Sequence, residues 1–132
     1  MGLNYDFVVF GIGTDIIEVG RIEKQLNSGT ELKKSLFTDS EIIYCESKKF
    51  QFQHFAARFA AKEAFFKALG TGWRYGMKYK EIEIKNNDIG KPEIFVSGRV
   101  KEELEEKKII KIHLSITHIN DLANAFVILE TN

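Results

Sequence analysis

The side chains able to do chemistry gather in two segments of this sequence. They are Gly11-Ile12-Gly13-Thr14-Asp15 and Arg58-Phe59-Ala60-Ala61-Lys62-Glu63-Ala64-Phe65-Phe66-Lys67. The second segment reads as helix. At about 100° per residue, Glu63 falls about 40° from Phe59 and about 60° from Phe66, inside the stripe drawn by Phe52, Phe55, Phe59 and Phe66. A carboxylate on that stripe requires a cation, because leaving it unpaired among apolar groups costs several kcal/mol. One source is Lys67, four residues on in the favoured orientation, where an exposed ion pair contributes about 0.3–0.5 kcal/mol. Lys67, however, lies about 40° further from the stripe and is equally placed to face solvent or a ligand.

The other source is a metal. Brought together from a strand end and a helix, Asp15 and Glu63 would make a pair of hard oxygen ligands. Mg2+ takes one or two such carboxylates along with waters and phosphate oxygens, and nearby lysines and arginines would hold the remaining phosphate charge. Asp15 also has a plainer use as the N-cap of a helix starting at Ile16. Gly11 and Gly13 would let something approach the backbone closely. Gly-Ile-Gly is no dinucleotide fingerprint, since the third glycine and the βαβ context are missing. These residues by themselves read as a magnesium-dependent, phosphate-handling site of low specificity.

The elements that must position this site follow from periodicity. Phe7–Ile12 is β-branched and aromatic and predicts a buried strand. Apolar residues at 16, 19, 22 and 26 predict a helix, Thr38-Asp39-Ser40-Glu41 a second helix start, and Phe50 to Leu69 a long helix ended by Gly70-Thr71-Gly72. The second half changes period. Glu81–Lys85 alternates as a strand, Asn86–Pro92 forms a turn, and Glu93–Val96 returns. Ser97 would cap a charged helix through Lys107. Ile110, Ile112, Leu114 and Ile116 alternate towards His118, and Ala123–Leu129 makes the return strand after Asn120-Asp121. The expected class is α+β, a mostly antiparallel sheet packed against a long helix.

The 132 residues, 44% hydrophobic and 29% charged, predict one folded domain spanning 1–132. A net charge of zero argues against nucleic-acid binding. From Arg58 to Lys80 there are six basic residues (Arg58, Lys62, Lys67, Arg74, Lys78, Lys80) and one acid, Glu63. Such a patch suits a small anionic ligand or an acidic partner, or is an ordinary solvated face. Cys45 is the sole cysteine, Met1–Asp6 lacks a basic start, and nothing approaches the ~18 apolar residues of a membrane span. The expectation is a cytoplasmic protein without membrane contact. His118 closes a strand and is either a structural rim histidine or a ligand or proton contact. His54 and His113 have no evident partner. Trp73 reads as a loop anchor, and Cys45 as an inert thiol on an apolar helix face.

Gly11–Ile16 and Arg58–Gly72, with Gly90-Lys91-Pro92 and Leu114-Ser115-Ile116-Thr117-His118 in order behind them, closely resemble the holo-acyl-carrier-protein synthases. These are the small bacterial-type 4′-phosphopantetheinyl transferases, and the resemblance runs from Phe10 to Leu129. It implies that an apo acyl carrier protein serine attacks the β-phosphate of coenzyme A, releasing 3′,5′-ADP in the service of fatty acid biosynthesis. It also implies that Asp15 and Glu63 hold Mg2+ and that Lys67 contacts the phosphates. Arg58, Lys62, Gly70 and His118 would make further coenzyme A contacts. The base would be Glu63 or a water on the metal. Arg21, with Lys24 nearby, would meet the acidic carrier protein, and the chain would form homotrimers with sites between subunits. Ile119 departs from the family, where a polar side chain often follows the histidine. The start, residues 1–6, is longer than usual and reads as a leader or as a non-native addition. Polyketide or peptide-synthetase carriers are alternative acceptors, and a coenzyme A or carrier-binding module without catalysis is the alternative from another class. Intact Asp15, Glu63 and Lys67 favour the enzyme.

Overall fold

An eleven-residue strand, β1 (Val8–Glu18), begins the architecture in this computed structural model, which describes residues 6–72 and 74–132. The leader expected over 1–6 lies, but for Asp6, outside the described residues, as does the anchor role of Trp73. Helices α1 (Val19–Leu26), α2 (Thr30–Leu36), α3 (Asp39–Glu46) and α4 (Gln51–Leu69) follow. A 3-10 turn (Tyr79–Glu81) leads into β2 (Ile82–Asn86) and β3 (Pro92–Val96), then α5 (Gly98–Glu106), β4 (Ile109–His118) and β5 (Leu122–Thr131). The strands form two antiparallel sheets, one of order β1-β5-β4 and one pairing β2 with β3.

β1 runs six residues past its predicted end, and this overturns the N-cap reading of Asp15. The ladder to β5 continues through Asp15↔Ala125 to Glu18↔Leu122, and the Val19 amide then donates to Asp121 O at 2.9 Å. Those long-range bonds hold 13–18 extended, so the helix starts at Val19 with Glu18 as its cap. Its buried face is Val19, Ile22 and Leu26, and Ile16 points outward.

Side chains alternate along β1, and the inward set is Gly11, Gly13, Asp15 and Ile17. A Cβ on Gly11 or Gly13 would overlap the carbonyl oxygens of Ala68 and Ala64. What approaches these glycines is therefore the main chain of α4. The helix answers with its own small residues: Ala60, Ala61, Ala64 and Ala68 are all buried. Twelve of its nineteen residues are buried, so α4 is a core helix packed on several sides, with no single phenylalanine stripe. Phe55 and Phe66 are fully enclosed, whereas Phe52 and Phe59 are half-buried.

Local chemistry sets the ends. Thr38 caps α3 in a reciprocal box with Glu41, and Gly70 stops α4 in the left-handed conformation, φ 85°. One apolar cluster joins the C-terminal half of α4 to β2, β4, β5 and α5. A second joins its N-terminal half to α1 and α3, and Ile17 and Ile116 pack against both. Among the described residues no helix is long and apolar enough to cross a membrane.

Candidate active site

Asp15 enters the site because the alternation of β1 turns every second side chain towards α4. Its carboxylate is 14% exposed. Lys67, near the end of α4, reaches across with Nζ 2.9 Å from Asp15 Oδ1 and 3.1 Å from the Thr14 carbonyl oxygen. Asp15 Oδ2 is buried and has no hydrogen-bond partner among the described residues.

Glu63 stands one turn before Lys67. The ion pair within the helix is not made, because Lys67 has turned to Asp15. Glu63 Oε1 instead accepts a hydrogen bond from the Tyr79 hydroxyl at 3.1 Å. Burial pushes the Glu63 carboxyl above its ordinary value; the Tyr79 bond opposes this, the Asp15 charge adds to it, and Lys67 weakens it. Burial and the Glu63 charge push the Tyr79 phenol up, so it stays protonated and donates.

Asp15 and Glu63 line one cleft of about 520 Å3, together with Arg21, Gln25 and Phe59. A buried oxygen without a donor beside a second desolvated carboxylate is a hard-oxygen donor pair, and it fits Mg2+. No group of three or more His, Cys, Asp or Glu suited to a metal occurs among the described residues, so such an ion would complete its shell from water and substrate. Arg21 places a cation at the mouth. Lys24, exposed on the same helix, does not line the cleft.

The other expected ligand contacts lie elsewhere. Lys62 is completely buried, and its Nζ donates to Glu41 Oε1 at 2.8 Å, Tyr79 O at 3.0 Å and Ile82 O at 2.6 Å. An ammonium group has three protons and all are used, so Lys62 has none for coenzyme A. Glu41 completes the network by accepting from the Ile84 amide. Arg58 is 4% exposed, bonded to Asn86 Oδ1 at 2.9 Å and stacked 4.1 Å over Tyr44. Its Nε is buried without a partner among the described residues, beside a recess of about 280 Å3 shared with Ser40, Lys85 and Asn86. The basic run read from the sequence is thus not one continuous surface.

His118 is exposed at the end of β4, with Nδ1 3.1 Å from Gln53 Oε1 and its ring 5.4 Å from that of His54. Burial, then His118, Arg58 and Lys48, hold His54 below its usual value. His113 pairs with Glu130 at 2.9 Å. Gly70 borders a separate recess with Thr71, Gly72 and Arg74. Cys45 is enclosed, and burial pushes its thiol to about 12. Asp15, Glu63, Lys67 and Arg21 therefore come together, while Arg58, Lys62, Gly70 and His118 do not join them within one chain.

Tyr79 and Glu41 were not singled out from the sequence. Tyr79 lies sixteen residues beyond Glu63 in a one-turn 3-10 segment, with no periodicity to flag it. Glu41 is visible only as the third residue of a capping box, and its second oxygen does unrelated work.

The family model of the 4′-phosphopantetheinyl transferase superfamily matches residues 11–127. The holo-[acyl-carrier-protein] synthase of Geotalea daltonii is 43% identical over 124 residues, 93% of this chain and 99% of the relative. The crystal structure of the enzyme of that name from Neisseria meningitidis superposes with a TM-score of 0.87 at 35% identity, covering 94% of this chain and 100% of the other. That from Bacillus anthracis, in complex with CoA (3′,5′-ADP), gives 0.78 at 37% identity, covering 94% and 98%. The chain therefore belongs to the 4′-phosphopantetheinyl transferase superfamily, among its holo-[acyl-carrier-protein] synthases.

Proposed function

We infer that this chain transfers the 4′-phosphopantetheine group of coenzyme A to a serine hydroxyl of an apo acyl carrier protein. The serine Oγ forms a bond to the β-phosphorus as the diphosphate bridge breaks, and 3′,5′-ADP leaves. The observation that carries the reading is Asp15 Oδ2, buried and without a hydrogen-bond partner among the described residues, lining with Glu63 a cleft open to a diphosphate. Asp15 and Glu63 would hold Mg2+, which when bound supplies positive charge against the diphosphate and the developing charge of the leaving oxygen.

The chain's own residues do the rest. Lys67, 56% exposed, keeps a third proton for a phosphate oxygen after serving Asp15 and Thr14. Glu63, or a water held in the cleft beside it, would take the serine proton. Arg21 at the mouth and Lys24 beside it on α1 present positive charge to an acidic carrier. Arg58, where it borders the recess with Lys85 and Asn86, and His118 are kept as coenzyme A contacts, with Gly70 offering open backbone. Lys62 drops out of that set because its donors are spent.

Ile12, Ile16 and Phe126 are exposed on the outer face of the three-stranded sheet. That face supports a homotrimer with sites shared between subunits, which light scattering of the purified protein would test. A single enclosed thiol is consistent with the cytoplasm, where a fatty acid synthesis carrier would be met. The decisive experiment is the intact mass of an apo acyl carrier protein after incubation with this protein, coenzyme A and Mg2+, with and without chelator. A chelator-sensitive gain of one phosphopantetheine group is expected. No gain with several carriers, alongside measurable coenzyme A binding, would leave a binding module.

A further inference from the structure

Lys62 and Glu63 are neighbours on α4, about 100° apart around its axis, yet both end on the same residue. Lys62 Nζ donates to the Tyr79 carbonyl at 3.0 Å, and the Tyr79 hydroxyl donates to Glu63 Oε1 at 3.1 Å. The Tyr79 ring is held from two sides, 5.7 Å from Phe59 and at right angles to Phe66 at 5.3 Å. Lys62 is in turn fixed by the buried Glu41. A line of bonded groups thus runs from Glu41 through Lys62 and Tyr79 to Glu63, and its last hydrogen bond occupies one carboxylate oxygen.

Resting on the reading that Asp15 and Glu63 hold a divalent cation, we propose that Tyr79 is a positioning residue for that cation. Its hydroxyl fixes Glu63 through Oε1 and leaves Oε2 for the cleft shared with Asp15, while Lys62 holds the Tyr79 main chain in place. Groups that orient a metal ligand typically govern affinity by about 10–100-fold, because an unrestrained carboxylate must be ordered when the metal binds. Lys62 thereby acquires a part in the site without touching any ligand.

Tyr79→Phe isolates the hydroxyl, since the ring and its contacts remain. The probe is Mn2+, which shares magnesium's preference for oxygen. Its free ion is counted by electron paramagnetic resonance, with no carrier present and no turnover. Tyr79→Phe should raise the Mn2+ dissociation constant about tenfold, with the far-ultraviolet circular dichroism of the metal-free protein unchanged. Raised Mg2+ should restore its turnover with coenzyme A and carrier. Wild-type Mn2+ affinity in Tyr79→Phe, while Asp15→Asn loses binding, overturns the positioning role and leaves the metal site standing. Wild-type affinity in Asp15→Asn, or no binding by the unaltered protein even with coenzyme A present, overturns the site and the inference together.

Discussion

Lys67 Nζ lies 2.9 Å from Asp15 Oδ1, on a residue 52 positions away, while Glu63 one turn back on its own helix bonds to Tyr79. This exchange of partners leaves Asp15 with one paired oxygen and one that has no partner among the described residues. Asp15→Ala and Glu63→Ala should each lower transfer by at least about a hundredfold while the far-ultraviolet circular dichroism stays that of the folded chain. Lys67→Ala should leave metal binding in place and chiefly raise KM for coenzyme A. Full activity in both carboxylate variants would refute the metal pair.

Arg21 is exposed at the mouth of the cleft. Arg21→Ala should weaken the carrier severalfold, through slower association, with coenzyme A binding unchanged. The difference from the unaltered protein should shrink as salt is raised. Stopped-flow association at two ionic strengths checks both; a salt-independent defect would place Arg21 outside the carrier surface.

Gly13 and Gly20 should respond oppositely to alanine. A Cβ at Gly13 meets the Ala64 carbonyl and the Ala68 amide of α4, main-chain atoms that cannot turn aside. Gly13→Ala should therefore cost about 1–3 kcal/mol or more. Gly20, in the first turn of α1, has open space around the same position, and Gly20→Ala should gain up to about 1 kcal/mol. Urea titration of both variants measures the contrast.

Glu83 gives a pH dependence away from the site. Burial raises its carboxyl, but hydrogen bonds from Ser40, Thr38 and Lys85, with the Lys85 charge, outweigh it and hold Glu83 below the ordinary 4.5. A lowered native value means the unfolded chain takes up the proton first. The resulting stability is present above 4.5 and is lost as pH falls through the native value. Glu83→Gln should lower the thermal midpoint at neutral pH, and the gap should close under acid conditions. A gap that persists there would assign the effect to packing.

The architecture was largely legible because its elements are periodic. β2 and β4 alternate, α3 carries its capping box, and α4 ends on a left-handed glycine. α2 escaped notice because it buries no residue and so carries no pattern. Asp15 was open to misreading because a helix cap and a strand residue look alike locally. Its state is decided by pairing with Ala125, 110 positions away. Glu63 and Lys67 drew attention through their helical positions, yet spacing alone favoured a pair they do not form. Lys62 and Arg58 read as surface charge because sequence gives a residue's type and not its enclosure. Only the fold shows that the Lys62 donors are consumed by Glu41 and two carbonyls.

The glycines of β1 carry a consequence for how the cleft keeps its width. Where a strand and a helix normally meet, interlocking side chains separate them, and each rotamer is a source of play. At Gly11 and Gly13 the strand rests directly on the backbone of α4, so the spacing works as a hard mechanical stop. Asp15 on one side and Glu63 and Lys67 on the other inherit a gauge cut by peptide groups. Repacking elsewhere in the core can slide the helix along this stop, but it cannot press the two walls closer together.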